Sequence, residues 1–202
     1  RKSLAALELA LKQFPDGFFA QLAESAEEGK VHICLVKDIV GSEQGDTLDH
    51  AGGVQFWDGA EAYIALVMGE SLEQRFYHEL SHVMDARILS HSVLYDDWEE
   101  LNPEGFTYSY RYEEPETADD LYFHEEKVFV DTYSMTFPKE DRARIMEYAM
   151  LDGQQELFDS EYLQRKLQRM CQAIREAFGL TDSSEPLVWE QYLKTPLTEE
   201  TE

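Results

Sequence analysis

At 202 residues, 43% of them hydrophobic, the chain is long enough for one sizeable core, and one domain is the expectation. A formal net charge of −25 repels phosphate and excludes nucleic acid and anionic membrane surfaces as partners. No apolar run reaches the roughly eighteen residues that a membrane-spanning helix needs.

The chain opens on Arg1 rather than Met, which points to a trimmed sequence, so a missing leader carries no weight. Leu4, Leu7 and Leu11 recur at helical spacing over 3–13, and Phe14-Pro15-Asp16-Gly17 ends that helix. A second short helix is expected from about Phe18 to Glu27, stopping at Gly29. Val31-His32-Ile33-Cys34-Leu35-Val36 reads as a strand buried in a sheet, with His32 a packed or edge histidine. The two cysteines, Cys34 and Cys171, make no disulfide framework and read as core residues.

Residues 41–53 form a loop carrying His50. Val54 to Trp57, a turn at Asp58-Gly59, and Glu61 to Val67 read as a hairpin. An edge strand beside a peptidase site pairs with an extended substrate by strand addition. Residues 54–57 and 61–67 are both candidates for that edge.

The stretch that carries chemistry follows: His78-Glu79-Leu80-Ser81-His82 on a helix expected from Ser71 to about Leu89, with Ser71-Leu72-Glu73-Gln74 as a capping box. At about 100° per residue, His82 stands about 40° round from His78, and Glu79 about 100°. Two neutral imidazoles one turn apart close on a tetrahedral zinc, while Glu79 is placed to take a proton from water activated there. Leu72, Phe76, Leu80, Val83 and Met84 recur on another face and supply the core contact.

Residues 90–132 form a long irregular or strand segment in which Phe106, Tyr108, Tyr110 and Tyr112 alternate with a period of two. They predict a strand that packs one face on the core or walls a cleft. Pro138 suits the first turn of a helix whose apolar side is Ile145, Met146, Ala149 and Met150. A last helix, about Ser160 to Phe178, aligns Leu163, Leu167, Met170, Cys171, Ile174 and Phe178 and stops at Gly179. Residues 133–180 are thus mostly helical. In the acidic tail, 181–202, Leu187-Val188-Trp189 and Tyr192-Leu193 are expected to dock.

Two histidines leave a zinc under-ligated. No third His follows in the spacing His-x-x-Gly-x-x-His, so a carboxylate from a downstream helix is the alternative donor. Glu140, Asp141 and Glu147 are candidates, with His124, Glu125 and Glu126 weaker ones.

The chain resembles the zinc peptidases that include the catalytic domain of anthrax lethal factor and the Pro-Pro endopeptidases. That group pairs His-Glu-x-x-His-x-x-Asp with a later Tyr-x6-Glu-x-x-Ala. Here the first pattern is His78, Glu79, His82 and Asp85, and the second is Tyr133, Glu140 and Ala143. The resemblance covers two short segments, and Arg144 stands where the group commonly has Glu. It implies Glu140 as third zinc ligand and Tyr133 as the catalytic tyrosine that hydrogen-bonds the oxyanion. Asp85 either orients a zinc-bound histidine or is a solvated or ion-paired carboxylate.

The expectation is therefore an α+β, zincin-like single domain, with a small mixed sheet beside the zinc helix and a mostly helical C-terminal half. Its expected activity is a zinc-dependent endopeptidase, a monomer acting on a peptide or protein substrate. A zinc-containing binding module without turnover and a zinc hydrolase of non-peptide amides are the rivals. The group's known members act outside the bacterium that makes them, which implies an extracellular or lipid-anchored cell-surface protein.

Overall fold

The computed structural model describes residues 1–24, 29–41, 51–113, 127–180, 185–195 and 197. They form an α+β arrangement of five α-helices and a three-stranded mixed sheet. Two compact units divide the chain, Arg1–Ile88 and Leu89–Glu202. No helix among the described residues is long and apolar enough to cross a membrane.

The first unit opens with α1 (Lys2–Leu11) and α2 (Phe18–Glu24). The leucine stripe expected on α1 is only partly buried: Leu7 is buried, with Ala10 beside it, Leu11 is half-buried and Leu4 is 52% exposed. The buried row instead continues into the turn through Phe14, whose ring meets Phe18 and Phe76.

The sheet contains β1 (Val31–Val36), β2 (Gly53–Asp58) and β3 (Glu61–Val67) in the order β1-β3-β2. The expected hairpin is present, with β2 antiparallel to β3 and Gly59 at φ 60° in its turn. Because β1 pairs parallel with β3 on the other side, 61–67 is the central strand and cannot serve as an edge. The buried strand expected at 31–36 is an edge strand, half-buried along its whole length, and Cys34 is likewise only half-buried.

Ala62, Ile64 and Leu66 alternate along β3 at 0% exposure. Helix α3 (Leu72–Arg87) packs on β2 and β3 and brings Leu72, Phe76, Leu80 and Val83 to this core. Each such side chain contributes roughly 1.5–3 kcal/mol on burial. Ser71 does not cap α3 as expected. It holds the N-cap position before Leu72, but in the left-handed region at φ 59°, and makes no side-chain capping bond. At the other end, Arg87 donates to the carbonyls of Leu22, Gly29, Lys30 and Ala60, which locks α3 to α2, β1 and the hairpin turn.

The second unit is built on α4 (Pro138–Ala149) and α5 (Glu161–Ala177), which pack together. Pro138 begins α4, and Ala143, Ile145, Met146 and Ala149 are buried along it. On α5, Ser160 accepts from the Tyr162 and Leu163 amides as N-cap. The predicted stripe from Leu163 to Phe178 is buried, and Gly179 at φ 60° ends the helix. Trp189 and Tyr192 of the tail are buried as expected, held by Arg175, which pairs with Glu190 at 2.6 and 2.8 Å.

The aromatic strand expected at 106–112 is not a strand. Residues 106–109 are irregular, and Tyr110–Glu113 forms a 3-10 turn. Phe106, Tyr108 and Tyr112 pack with Val128, Phe129, Met135 and Tyr162 in one cluster, while Tyr110 is 64% exposed. In place of a strand ladder, the Phe106 amide donates to the Pro103 carbonyl at 3.1 Å, Ser109 to Met135 at 3.1 Å and Tyr112 to Ser109 at 3.2 Å.

Candidate metal centre

Helix α3 carries His78 and His82 one turn apart, as their spacing requires. Their Nε2 atoms lie 3.2 Å apart, and the rings meet edge-on at 86°. Two nitrogens on one tetrahedral zinc at ~2.0–2.1 Å stand about 3.3–3.4 Å apart, so the pair is already at the separation a shared zinc needs. Without a metal, the same distance is a hydrogen bond from a protonated Nε2 to a bare one.

Glu79 lies on the same helix at 9% exposure. Its neighbour across the core is the start of β2: a Cβ built on Gly53 would stand 3.1 Å from both Cγ and Oε1 of Glu79. Asp85, three residues past His82, is 7% exposed, which removes the solvated-carboxylate alternative.

The first turn of α4 carries Glu140 and Asp141 side by side, at 5% and 0% exposure. Asp141 is committed inside its own unit. Its Oδ2 accepts from Trp98 Nε1 at 3.1 Å and Tyr108 Oη at 2.7 Å and pairs with Lys166 Nζ at 2.8 Å. Beside that carboxylate, burial raises the Tyr108 pKa well above its usual value. Glu147 is committed too, accepting from Arg144 Nη1 at 2.7 Å. His78 and His82 of the first unit and Glu140 of the second are the described residues that could each offer one ligand atom to a metal ion. No other such group occurs among the described residues. Of the candidate third ligands, Asp141 and Glu147 are thus occupied elsewhere, and His124, Glu125 and Glu126 lie outside the described residues, as does His50.

Tyr133 opens a 3-10 turn, Tyr133–Met135, that packs on α4. Asp131 shapes this turn by accepting from the Ser134 amide at 2.9 Å, and Thr136 Oγ1 donates to the Tyr133 carbonyl at 2.7 Å. At 37% exposure Tyr133 is not a core tyrosine.

Arg144, the departure from the resembled pattern, bridges Glu147 and Asp131 and holds its guanidinium 5.3 Å over the Tyr133 ring. Burial lowers its pKa, but those two carboxylates outweigh that effect and leave it raised. Sequence reasoning missed this supporting role; the Arg144 and Glu147 spacing on one helix face was the available signal. His32 is not a ligand: it bonds Glu61 and stacks on Tyr63 with ring centroids 4.6 Å apart. Comparison with protein-family models, curated proteins and solved structures gave no match.

Proposed function

We propose that the protein is a zinc-dependent endopeptidase in which His78, His82 and Glu140 hold the metal. The observation that carries this is the histidine pair on α3, with its Nε2 atoms 3.2 Å apart. Two histidines and one glutamate are a donor set of catalytic zinc, which keeps its fourth position for water or substrate, whereas structural zinc takes four protein ligands. Held by His78, His82 and Glu140, a zinc ion would supply Lewis acidity for the scissile carbonyl and would lower the pKa of the attacking water toward ~7.

The rest is the work of side chains. Glu79 accepts the attacking water's proton and delivers it to the leaving amine. Its low exposure keeps that carboxylate from being levelled by bulk solvent. Tyr133 donates its hydroxyl hydrogen to the developing oxyanion, a bond that strengthens as charge builds. Arg144 holds the Tyr133 ring from one face and braces it against Asp131 and Glu147. Asp85 orients the histidines from within α3. An extended substrate pairs with β2, because β3 is already paired on both sides and β2 begins beside Glu79. Resemblance to enzymes that act outside the cell supports an extracellular or cell-surface site of action.

The test is elemental analysis of the purified protein combined with a peptide-library cleavage assay, with and without chelator. About one zinc per chain, and cleavage that chelator abolishes and zinc restores, is the expected result. Zinc without cleavage of any peptide would favour a binding module, and turnover confined to non-peptide amides would favour the other hydrolase. A metal held by four protein groups would sink the catalytic reading, since no position would remain for water.

A further inference from the structure

The entry of β2 is made of two consecutive glycines, Gly52 and Gly53, and the backbone does not ask for either. Neither has a positive φ, so an L side chain could adopt the local conformation. Glycine in a strand also forgoes cross-strand packing, so its presence points to a close approach. The space around the two positions shows which approach it is. A Cβ on Gly52 would fall 2.5 Å from Arg75 Nε and 2.9 Å from Arg75 Cδ. A Cβ on Gly53 would fall 3.1 Å from Glu79 Cγ, 3.1 Å from Glu79 Oε1 and 3.3 Å from Leu66 Cδ2.

Arg75 and Glu79 are four residues apart and share a row on α3. The strand therefore enters the sheet with bare backbone against that row. The approach is tied down on both sides: Val67 donates its amide to the Gly52 carbonyl at 2.9 Å, and Arg75 Nη1 donates to the Val67 carbonyl at 3.3 Å. Gly53 itself pairs with Leu66 in the hairpin register.

We infer that Gly53 is a positioning residue for Glu79: its missing side chain leaves the space against which Cγ and Oε1 of Glu79 stand. The inference rests on the reading of Glu79 as general base. Gly53 does not touch the reacting atoms; it decides where the group that does can sit. A methyl group at this position leaves the metal ligands alone and moves the base by a few tenths of an ångström. Displacements on that scale matter for a base, because proton transfer depends on reaching the water at hydrogen-bond distance.

The experiment uses the zinc-loaded full chain as wild type, Gly53→Ala, Glu79→Ala and the double variant, read by steady-state kinetics, zinc affinity, thermal melts and crystal structures. Gly53→Ala is expected to lower kcat by roughly 10–10², with KM and zinc affinity unchanged and the melting temperature the same or higher. In the Glu79→Ala background, which has neither Cγ nor a base to displace, the same substitution should cost kcat nothing further. Wild-type kcat in Gly53→Ala would overturn the inference, as would a fall in kcat matched by a fall in zinc affinity.

If Gly53→Ala folds poorly, the double variant decides which neighbour is crowded: recovery of the melt by Glu79→Ala supports the inference, and no recovery points to Leu66 and overturns it. Should the wild type cleave no peptide, the endopeptidase reading fails separately. The structures then carry the test, with a displaced Glu79 carboxylate in Gly53→Ala supporting the positioning role and an unmoved one refuting it.

Discussion

Lys166 Nζ lies 2.8 Å from Asp141 Oδ2, and both side chains are at 0% exposure. The ammonium also donates to the Val128 carbonyl at 3.0 Å and sits 3.8 Å over the Phe129 ring. Burial pulls the Lys166 pKa down and the Asp141 carboxylate pulls it back up; the net direction is down. The pair ties α5 to the first turn of α4, the turn that presents Glu140.

Breaking this pair from one side leaves a buried charge alone. Lys166→Met should therefore cost about 3–5 kcal/mol, measured by chemical denaturation. Lys166→Met with Asp141→Leu should recover much of that loss, because neither charge then needs solvation. A single variant as stable as wild type would show that the pair carries no such weight.

Glu79→Gln keeps the shape of the side chain and removes its ability to accept a proton. Bound zinc should be unchanged while kcat falls by about 10²–10⁴, the range for a general base. Undiminished cleavage would assign the base to another group.

Tyr133→Phe removes one hydroxyl from a residue that is 37% exposed, so the melt should not move. If that hydroxyl serves the oxyanion, kcat should drop by roughly 10²–10³ with KM little changed. Steady-state kinetics beside a thermal melt reads both quantities. Unchanged kcat would retire Tyr133 from the mechanism.

Gly29 sits inside the Arg87 latch. A Cβ there would meet the Ala60 carbonyl oxygen at 2.2 Å and Arg87 Nη2 at 2.9 Å, and the oxygen cannot swing away as a side-chain end could. Gly29→Ala should destabilise the protein by about 1–3 kcal/mol, the usual cost of overpacking. A denaturation midpoint equal to wild type would mean that the chain around 29–30 shifts freely.

A pH effect is expected at the His32 and Glu61 pair. The hydrogen bond from His32 holds the Glu61 carboxyl below its usual value of 4.5, against a smaller opposing effect of burial. A depressed folded-state pKa means that the pair's contribution is present above about 4.5 and is lost as pH falls through the folded value. His32→Phe should move the Glu61 midpoint upward in an NMR titration. No movement would assign the depression to Lys30 instead.

Local periodicity made much of this molecule legible in its sequence. A repeat of 3.6 residues put His78 and His82 on one side of α3 and buried the stripe of α5. Pro138 announced the start of α4, and Asp58-Gly59 announced the hairpin turn. These features need only neighbours in the chain, because helix faces and tight turns follow from backbone geometry.

What the tertiary structure alone decided is where chain-distant groups meet. Glu140, Asp141 and Glu147 are alike in sequence, and their fates separate because Lys166 takes Asp141 and Arg144 takes Glu147. The period-two aromatics at 106–112 looked like a strand. Phe106, Tyr108 and Tyr112 became a packed cluster because Val128, Phe129 and Met135 offered their rings an apolar surface, Tyr110 stayed exposed, and no strand among the described residues pairs with them. Likewise, no local pattern shows that β3 lies between β1 and β2, or that Gly53 faces Glu79. Those outcomes depend on packing between residues far apart in the chain, and burial makes each unpaired charge or misplaced methyl costly enough to select one arrangement.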